Sequence, residues 1–347
     1  MRIGMLVSFG IGGADKSCYY LAKGLRELGH DVVIFYTEMS FPKVSIHWDA
    51  NYEMLSRFDS YKDFESYQIK DVNQFNDYNI DILNTHRSGE DFWLIPGFEK
   101  GNYNFPIVET NIHGTLHTKA DYRIFPSETM VDFKKITIPH TVIYNPTMPK
   151  LTDSDLREEL GIPKDAFVYG KISRASNDIF TPMTYLAYKK CEAPDVYFIQ
   201  MGINKATIEI SQKLNLKNFI AIDQSLDETR ISQFYNTFDL YCHGNSLGET
   251  FGNTIAEAMI HGKPVISHLG AKMWPQAQCE VIGNDKYFVK RNDIYAFEEY
   301  MNFMKLLKNN KDEYQEYKTY CETRAENLFD YKAISQKYAN VFQKMLR

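Results

Sequence analysis

The sequence predicts an α/β protein built from two doubly wound domains. Three observations carry this reading. Residues 1–35 alternate apolar strand, glycine turn, helix and strand, the usual opening of a doubly wound sheet. A second strand–loop–helix–strand run occupies residues 239–266. The length of 347 residues suffices for two ordinary α/β domains, each with its own core, and Pro146 and Pro149 mark a linker between them.

Composition narrows the function classes. Hydrophobic residues make up 44% and charged residues 24%, values of a globular chain. The net charge of −6 disfavours nucleic acid or an anionic membrane as partner, although 39 Lys and Arg leave room for a local basic face. The five cysteines (Cys18, Cys191, Cys242, Cys279, Cys321) are scattered, odd in number and without a Cys-x-x-Cys pair. They read as thiols in a reducing compartment, not as a disulfide frame or zinc site. The chain enters a strand at Met1–Gly4 with no signal peptide, and no apolar run is long enough to span a bilayer. The expectation is a soluble, cytoplasmic protein.

Residues 3–8 form a strand, 9–15 a glycine turn and 16–28 a helix with Tyr20, Leu21, Leu25 and Leu28 at helical spacing. Gly29 ends this helix, and residues 30–35 form the next strand. Gly10-x-Gly12 with Glu38 after the second strand admits a dinucleotide-binding alternative, but Asp15 stands where the third glycine belongs. Residues 41–70 are aromatic and weakly periodic, with one strand expected at 44–46 and an irregular loop where an acceptor would be read. Strands follow at 80–85, ending at His86-Arg87, and at 105–111, with a short helix at 91–98 between them. The strand at 105–111 delivers His113-Gly114 at its carboxyl end, where open α/β sheets bind ligands. A strand at 122–127, a helix to about 135 and a strand at 141–146 complete the first domain.

The second domain opens with a helix at 154–160, stopped by Gly161 and Pro163. A strand and turn at 167–174 carry Lys171 and Arg174, either of which can meet a phosphate. A helix spans 181–191, and a strand at 196–202 ends on Gly202. The strand at 219–223 ends on Ile222-Asp223, and a helix at 226–236 leads into the central stretch. Beyond Gly270 the chain reads as helical to its end, with an edge strand at 287–289.

The central stretch holds the chemistry. Residues 239–242 are a short apolar strand, 243–248 a polar turn, and Gly252-Asn253-Thr254 a helix start. Gly262 ends that helix, and Pro264-Val265-Ile266 opens the next strand. Glu249 and Glu257 are eight residues apart, just over two turns on a continuous helix. With the helix starting near Gly252, Glu249 projects over its amino terminus and Glu257 lies one turn inside. The amides of Asn253 and Thr254 then mark the positive end of the dipole, where a phosphate settles. A nucleotide-sugar diphosphate fits this layout, with sugar at Glu249, diphosphate at the amides and ribose at Glu257. Two glutamates alone would read as exposed acids on a capped, amphipathic helix.

The whole string is more specific than the pair. Glu249-x7-Glu257, with Phe251-Gly252 after the first acid, then Glu257-Ala258-Met259 and Gly262-Lys263-Pro264-Val265-Ile266, resembles the donor-site signature of the retaining glycosyltransferases of family 4. The opening is similar too, with Gly12-Gly13-Ala14-Asp15, Leu21-Ala22-x-Gly24-Leu25 and Gly29-His30-Asp31-Val32. The resemblance implies the GT-B fold, two Rossmann-like doubly wound domains facing each other across a cleft. It places an acceptor-side domain at 1–148, to which a carboxyl-terminal helix at about 331–347 returns, and a donor domain at 149–330.

The implied activity is transfer of a hexose from a UDP- or GDP-sugar to a hydroxyl of a glycan, lipid-linked or glycoprotein acceptor, with retention. The resemblance gives catalytic roles to Glu249, His113 and Arg174. It puts Gly12 and Gly13 over the donor phosphates, Lys171 and Arg174 on the diphosphate, and Gly202 close to the donor. Ile222 and Asp223 meet the base through their backbone, Glu249, Thr250, Phe251, Gly252, Asn253 and Thr254 surround the sugar and diphosphate, and Glu257 holds the ribose. The chain departs from the family in one place: Lys171 stands where the arginine is expected, and Ser176 and Asn177 where the lysine would fall. No metal and no cofactor are implied, the nucleotide sugar being a substrate. Peripheral membrane contact and oligomeric state stay open. The alternatives are a nucleotide-sugar-binding protein of the same shape without turnover, kept alive by the altered cations, and an NAD-dependent oxidoreductase resting on Gly10-x-Gly12.

Overall fold

The computed structural model describes residues 1–41, 56–87, 95–293 and 295–347. They divide into two units, one formed by the described residues up to Thr147 together with Phe329–Arg347, the other by Met148–Leu328.

The first unit is a seven-stranded sheet with helices against it. In chain order it contains β1 (Arg2–Leu6), α1 (Gly13–Glu27), β2 (Asp31–Tyr36), β3 (Glu65–Gln68), β4 (Ile82–Arg87), β5 (Ile107–Asn111), β6 (Tyr122–Phe125), α2 (Glu128–Lys134) and β7 (His140–Val142). The strand order is β3-β2-β1-β4-β5-β6-β7, and every pair is parallel. The inner strands are buried along nearly their whole length, apolar in β1 and β2 and with buried polar side chains, among them Asn84 and Glu109, in β4 and β5. The last helix of the chain, Tyr331–Met345, packs on α1, and Ile334, Tyr338 and Phe342 join Leu21 and Leu25 in one core.

The second unit has a six-stranded sheet. Its elements are β8 (Phe167–Ile172), α3 (Met183–Lys189), β9 (Val196–Met201), α4 (Lys205–Lys213), β10 (Phe219–Ile222), α5 (Glu228–Thr237), β11 (Leu240–Cys242), α6 (Asn253–Ile260), β12 (Val265–His268), α7 (Ala277–Ile282), β13 (Phe288–Val289), α8 (Ala296–Asn309) and α9 (Lys311–Phe329). The order is β10-β9-β8-β11-β12-β13, again all parallel. Large buried tyrosines find partners for their hydroxyls: Tyr185 donates to Gln200 Oε1 at 2.7 Å and Tyr188 to the Lys217 carbonyl at 2.6 Å. The chain closes with α10, the Tyr331–Met345 helix of the first unit.

Several expectations need correction. Residues 154–160 are turns instead of a helix. Thr152 Oγ1 accepts from the Ser154 amide and Asp155 Oδ1 from the Arg157 amide, so short polar side chains take the backbone donors a helix start would use. The edge strand β3 and helix α4 were not foreseen. The face of β3 is mostly exposed and α4 buries only Thr207 of its residues, so neither shows a clear apolar period. The strand expected at 44–46 lies outside the described residues, as do residues 91–94 of the helix expected at 91–98. The described end of that helix is a turn leading into a 3-10 turn at Phe98–Lys100.

In each sheet the strand order reverses once, between β1 and β4 and between β8 and β11. The carboxyl ends of strands at such a reversal are where open α/β sheets take ligands.

Candidate functional site

The best-built constellation lies at the reversal of the second sheet. β11 ends at Cys242, and residues 243–252 lead from it into α6. Gly252 caps α6 in the left-handed region, at φ 109°, which turns the chain sharply onto the helix axis. Glu249 stands before that turn, its backbone clamped to the start of α7 and the residues just ahead of it. Its amide donates to the Pro275 carbonyl and to Gln278 Oε1, both at 3.1 Å, and its carbonyl accepts from the Ala277 amide at 2.9 Å.

The Glu249 carboxylate is held with equal care. Oε1 lies 3.1 Å from His243 Nε2 and accepts from Asn245 Nδ2 at 2.9 Å. His243 is 4% exposed, and its Nδ1 lies 2.8 Å from Ser267 Oγ on β12. The side chain of Glu249 keeps 25% of its surface open. Burial pushes this carboxyl up, but the His243 and Asn245 hydrogen bonds and the charges of His243 and Arg174 outweigh it, holding the group below its ordinary value. Glu249 is an ionised, partly open acceptor.

Glu257 sits one turn into α6 and is 6% exposed, with Oε2 accepting from the Tyr235 hydroxyl at 2.8 Å. Neither glutamate is therefore an exposed acid on a solvated helix. Phe251 is buried, whereas Thr250, Asn253 and Thr254 remain partly open at the amino end of α6.

The two expected cations occupy different settings. Arg174 pairs with Asp178 at 2.7 Å, and its charge reaches Glu249. Ser176 Oγ donates to the same Asp178 carboxylate. Lys171, near the carboxyl end of β8, is 3% exposed, with Nζ 5.1 Å from the centre of the Tyr185 ring. It lies beneath Gly244, on the neighbouring strand's loop. Gly202 follows β9 at φ 75°, and a Cβ there would come within 1.8 Å of the Ser173 carbonyl oxygen. Only glycine lets these two backbones approach so closely.

Ile222 and Asp223 line an open pocket of about 450 Å³ with Glu159, Gln224, Ser225, Asp227 and Arg230. The structure thus gathers Arg174, Lys171 and the 249–257 run near the ends of β8 and β11, and sets Ile222 and Asp223 at the end of β10.

His113, Gly12 and Gly13 belong to the first unit. His113 is exposed just beyond β5, where Asn111 Oδ1 accepts from the amides of His113 and Gly114. Gly12 is the N-cap residue of α1 and supplies no side-chain cap. The carboxyl of Asp15 fills that role. Burial pushes it up to about 6, against a hydrogen bond from Ser8, the charge of Arg57 and the amides of Gly12 and Asp15. The glycine turn thus closes on an internal carboxyl where a dinucleotide fold would present its amides to a pyrophosphate.

Sequence reasoning missed His243, Asn245, Ser267, Gln278 and Asp178. The turn at 243–248 read only as polar, and no periodic signal connects it to β12 or α7. Among the described residues, no group of three or more His, Cys, Asp or Glu side chains is placed to hold a metal ion. No helix among them is long and apolar enough to cross a membrane.

Comparison with known proteins adds to this geometry. Residues 153–324 match the family described as "Glycosyl transferases group 1". No curated protein matches the chain. A glycosyltransferase from Rickettsia africae ESF-5 superposes with a TM-score of 0.76 at 18% identity, covering 99% of this chain and 98% of its own. Anabaena Alr3699/HepE in complex with UDP and glucose gives 0.72 at 18%, covering 99% and 100%. The sucrose-phosphate synthase of Thermosynechococcus elongatus gives 0.73 at 14%, covering 99% and 98%.

Proposed function

We propose, for a chain whose residues 153–324 belong to the glycosyl transferases group 1, that it moves a hexose from a uridine diphosphate donor to an acceptor hydroxyl with retention of configuration. The chain is a nucleotide-sugar glycosyltransferase of the GT-B fold. The base, the sugar, the stereochemistry and the acceptor are the proposal.

One observation carries it. The ionised Glu249 carboxylate stands over the amino end of α6, with the Arg174 charge within reach and Lys171 buried nearby. In transfer, the bond from the anomeric carbon to the phosphate oxygen breaks, and negative charge develops on the leaving diphosphate. The α6 amides, Arg174 and Lys171 would offset that charge, while Glu249 would hold the hexose. The pocket at Ile222 and Asp223 has room for a base. The UDP and glucose bound to Alr3699/HepE support uridine as that base. We place the acceptor, a glycan, lipid-linked or protein-linked hydroxyl, on the side of His113. Catalysis would need no metal, and the protein would act in the cytoplasm, free or at a membrane face.

A second reading, a nucleotide-sugar-binding protein without turnover, draws on the Arg174–Asp178 pair, which occupies the guanidinium expected at the diphosphate. Thermal-shift binding across UDP, GDP, ADP, NAD and a panel of sugar nucleotides, followed by release of UDP from any ligand found, decides between them. A shift with UDP and UDP-sugars together with sugar release supports the transferase. Binding without turnover supports the second reading, and a shift with NAD alone sinks both.

A further inference from the structure

We infer that His243, held by Ser267, is the positioning residue that aims Glu249 at the donor hexose. The inference rests on the donor-site reading above and concerns how that site is kept in register.

Both side-chain donors to the Glu249 carboxylate, His243 Nε2 at 3.1 Å and Asn245 Nδ2 at 2.9 Å, reach the same oxygen, Oε1. Among the described residues, the side-chain hydrogen bonds to this carboxylate all fall on Oε1. A carboxylate offers about four lone-pair sites, so the filled oxygen fixes the plane of the group and the other stays available to a sugar hydroxyl. The backbone clamp on Pro275, Ala277 and Gln278 sets where Glu249 starts, and the His243 contact sets where its carboxylate points.

The chemistry also sets the tautomer. An ionised carboxylate can only accept, so Nε2 of His243 carries the proton. Nδ1 lies 2.8 Å from the fully buried Ser267 hydroxyl, which ties down the other side of the ring. The backbone of His243 is anchored as well, its carbonyl accepting from the Tyr300 hydroxyl at 2.9 Å and its amide donating to Ile266 at 2.9 Å. The ring is therefore fixed at both nitrogens and at the main chain. Such support orients an acceptor to within the tolerance that sugar recognition needs.

The test is calorimetric titration of the full-length wild type, His243→Ala, His243→Gln and Ser267→Ala with UDP and with UDP-glucose, UDP-galactose and UDP-N-acetylglucosamine. The glutamine amide reaches roughly the position of Nε2–H and so keeps the donor. The wild type is expected to bind one UDP-hexose more tightly than UDP. His243→Ala is expected to lose about tenfold of that increment, the scale of a hydrogen bond to a charged group, with UDP affinity within about twofold of wild type. His243→Gln is expected to restore most of it, and Ser267→Ala to fall between. An undiminished increment in His243→Ala overturns the inference. So does His243→Gln failing as badly as His243→Ala while UDP still binds normally, because the ring would then act by packing alone. A wild type that binds neither UDP nor any UDP-hexose overturns the donor-site reading itself, and this inference with it.

Discussion

Arg174 and Asp178 are joined by a 2.7 Å ion pair across the turn that follows β8, and the same carboxylate accepts from Ser176. Asp178 also ties this turn to the loop after β11, its carbonyl accepting from Ser246 Oγ at 2.9 Å. A diphosphate arriving at this edge must compete with Asp178 for the guanidinium.

Asp178→Asn should therefore tighten UDP binding. Both partners are more than a third exposed, and pairs of that kind contribute at most about 1 kcal/mol, so the gain is at most about fivefold and shrinks at high salt. Arg174→Ala should weaken UDP binding and lower kcat/KM. Titrations of both variants at two ionic strengths check this, and unchanged affinity in both removes Arg174 from the diphosphate.

Glu249→Gln should leave UDP affinity near wild type while abolishing the extra affinity for a UDP-hexose. Because the carboxyl sits below its ordinary value in the fold, its ionised form stabilises the native state above the unfolded value of about 4.3. That contribution disappears as pH falls through the lower folded value. Melting curves should show the wild type losing more stability than Glu249→Gln below about pH 4.3. Parallel acid profiles would contradict the assigned charge state.

Asp15→Asn carries the opposite sign. The carboxyl rises from 3.8 to about 6 on folding, so its contribution to stability is present at low pH and is lost as pH climbs through that window. Asparagine keeps an acceptor for the Gly12 amide without the charge. The melting temperature of the variant relative to wild type should climb between pH 4 and 7 and level off above. A difference that stays flat would mean Ser8, Arg57 and the amides hold the carboxylate ionised throughout.

Gly202→Ala should destabilise the protein by roughly 1–3 kcal/mol, the cost of a strained backbone conformation, since a Cβ at φ 75° would meet the Ser173 carbonyl at 1.8 Å. Denaturant titration measures this. A wild-type midpoint would show that β8 and β9 can part at their ends at no cost.

Much of the fold was legible in the sequence because it is written in short-range patterns. The apolar runs of β1, β2 and β9 are those of strands buried on both faces. Gly252, Asn253 and Thr254 marked the start of α6, and the structure begins that helix at Asn253. The helix expected at 154–160 failed for an equally local reason, its polar residues turning back on their own backbone.

The candidate site was legible only in part. The string from Glu249 to Ile266 showed where an acid, a helix amino end and a second acid would fall along the chain. It could not show that Glu257 is buried against Tyr235, 22 residues earlier, or that Arg174 is taken by Asp178.

Strand periods, glycine turns and helix caps depend on residues within about one turn of each other, so the order of residues alone decides them. The orientation and charge of Glu249 depend on His243, Ser267 and Gln278, which the folding of β11, β12 and α7 brings to one point. A hydrogen bond acts over about 3 Å, and only the packed sheet decides which distant side chains come that close.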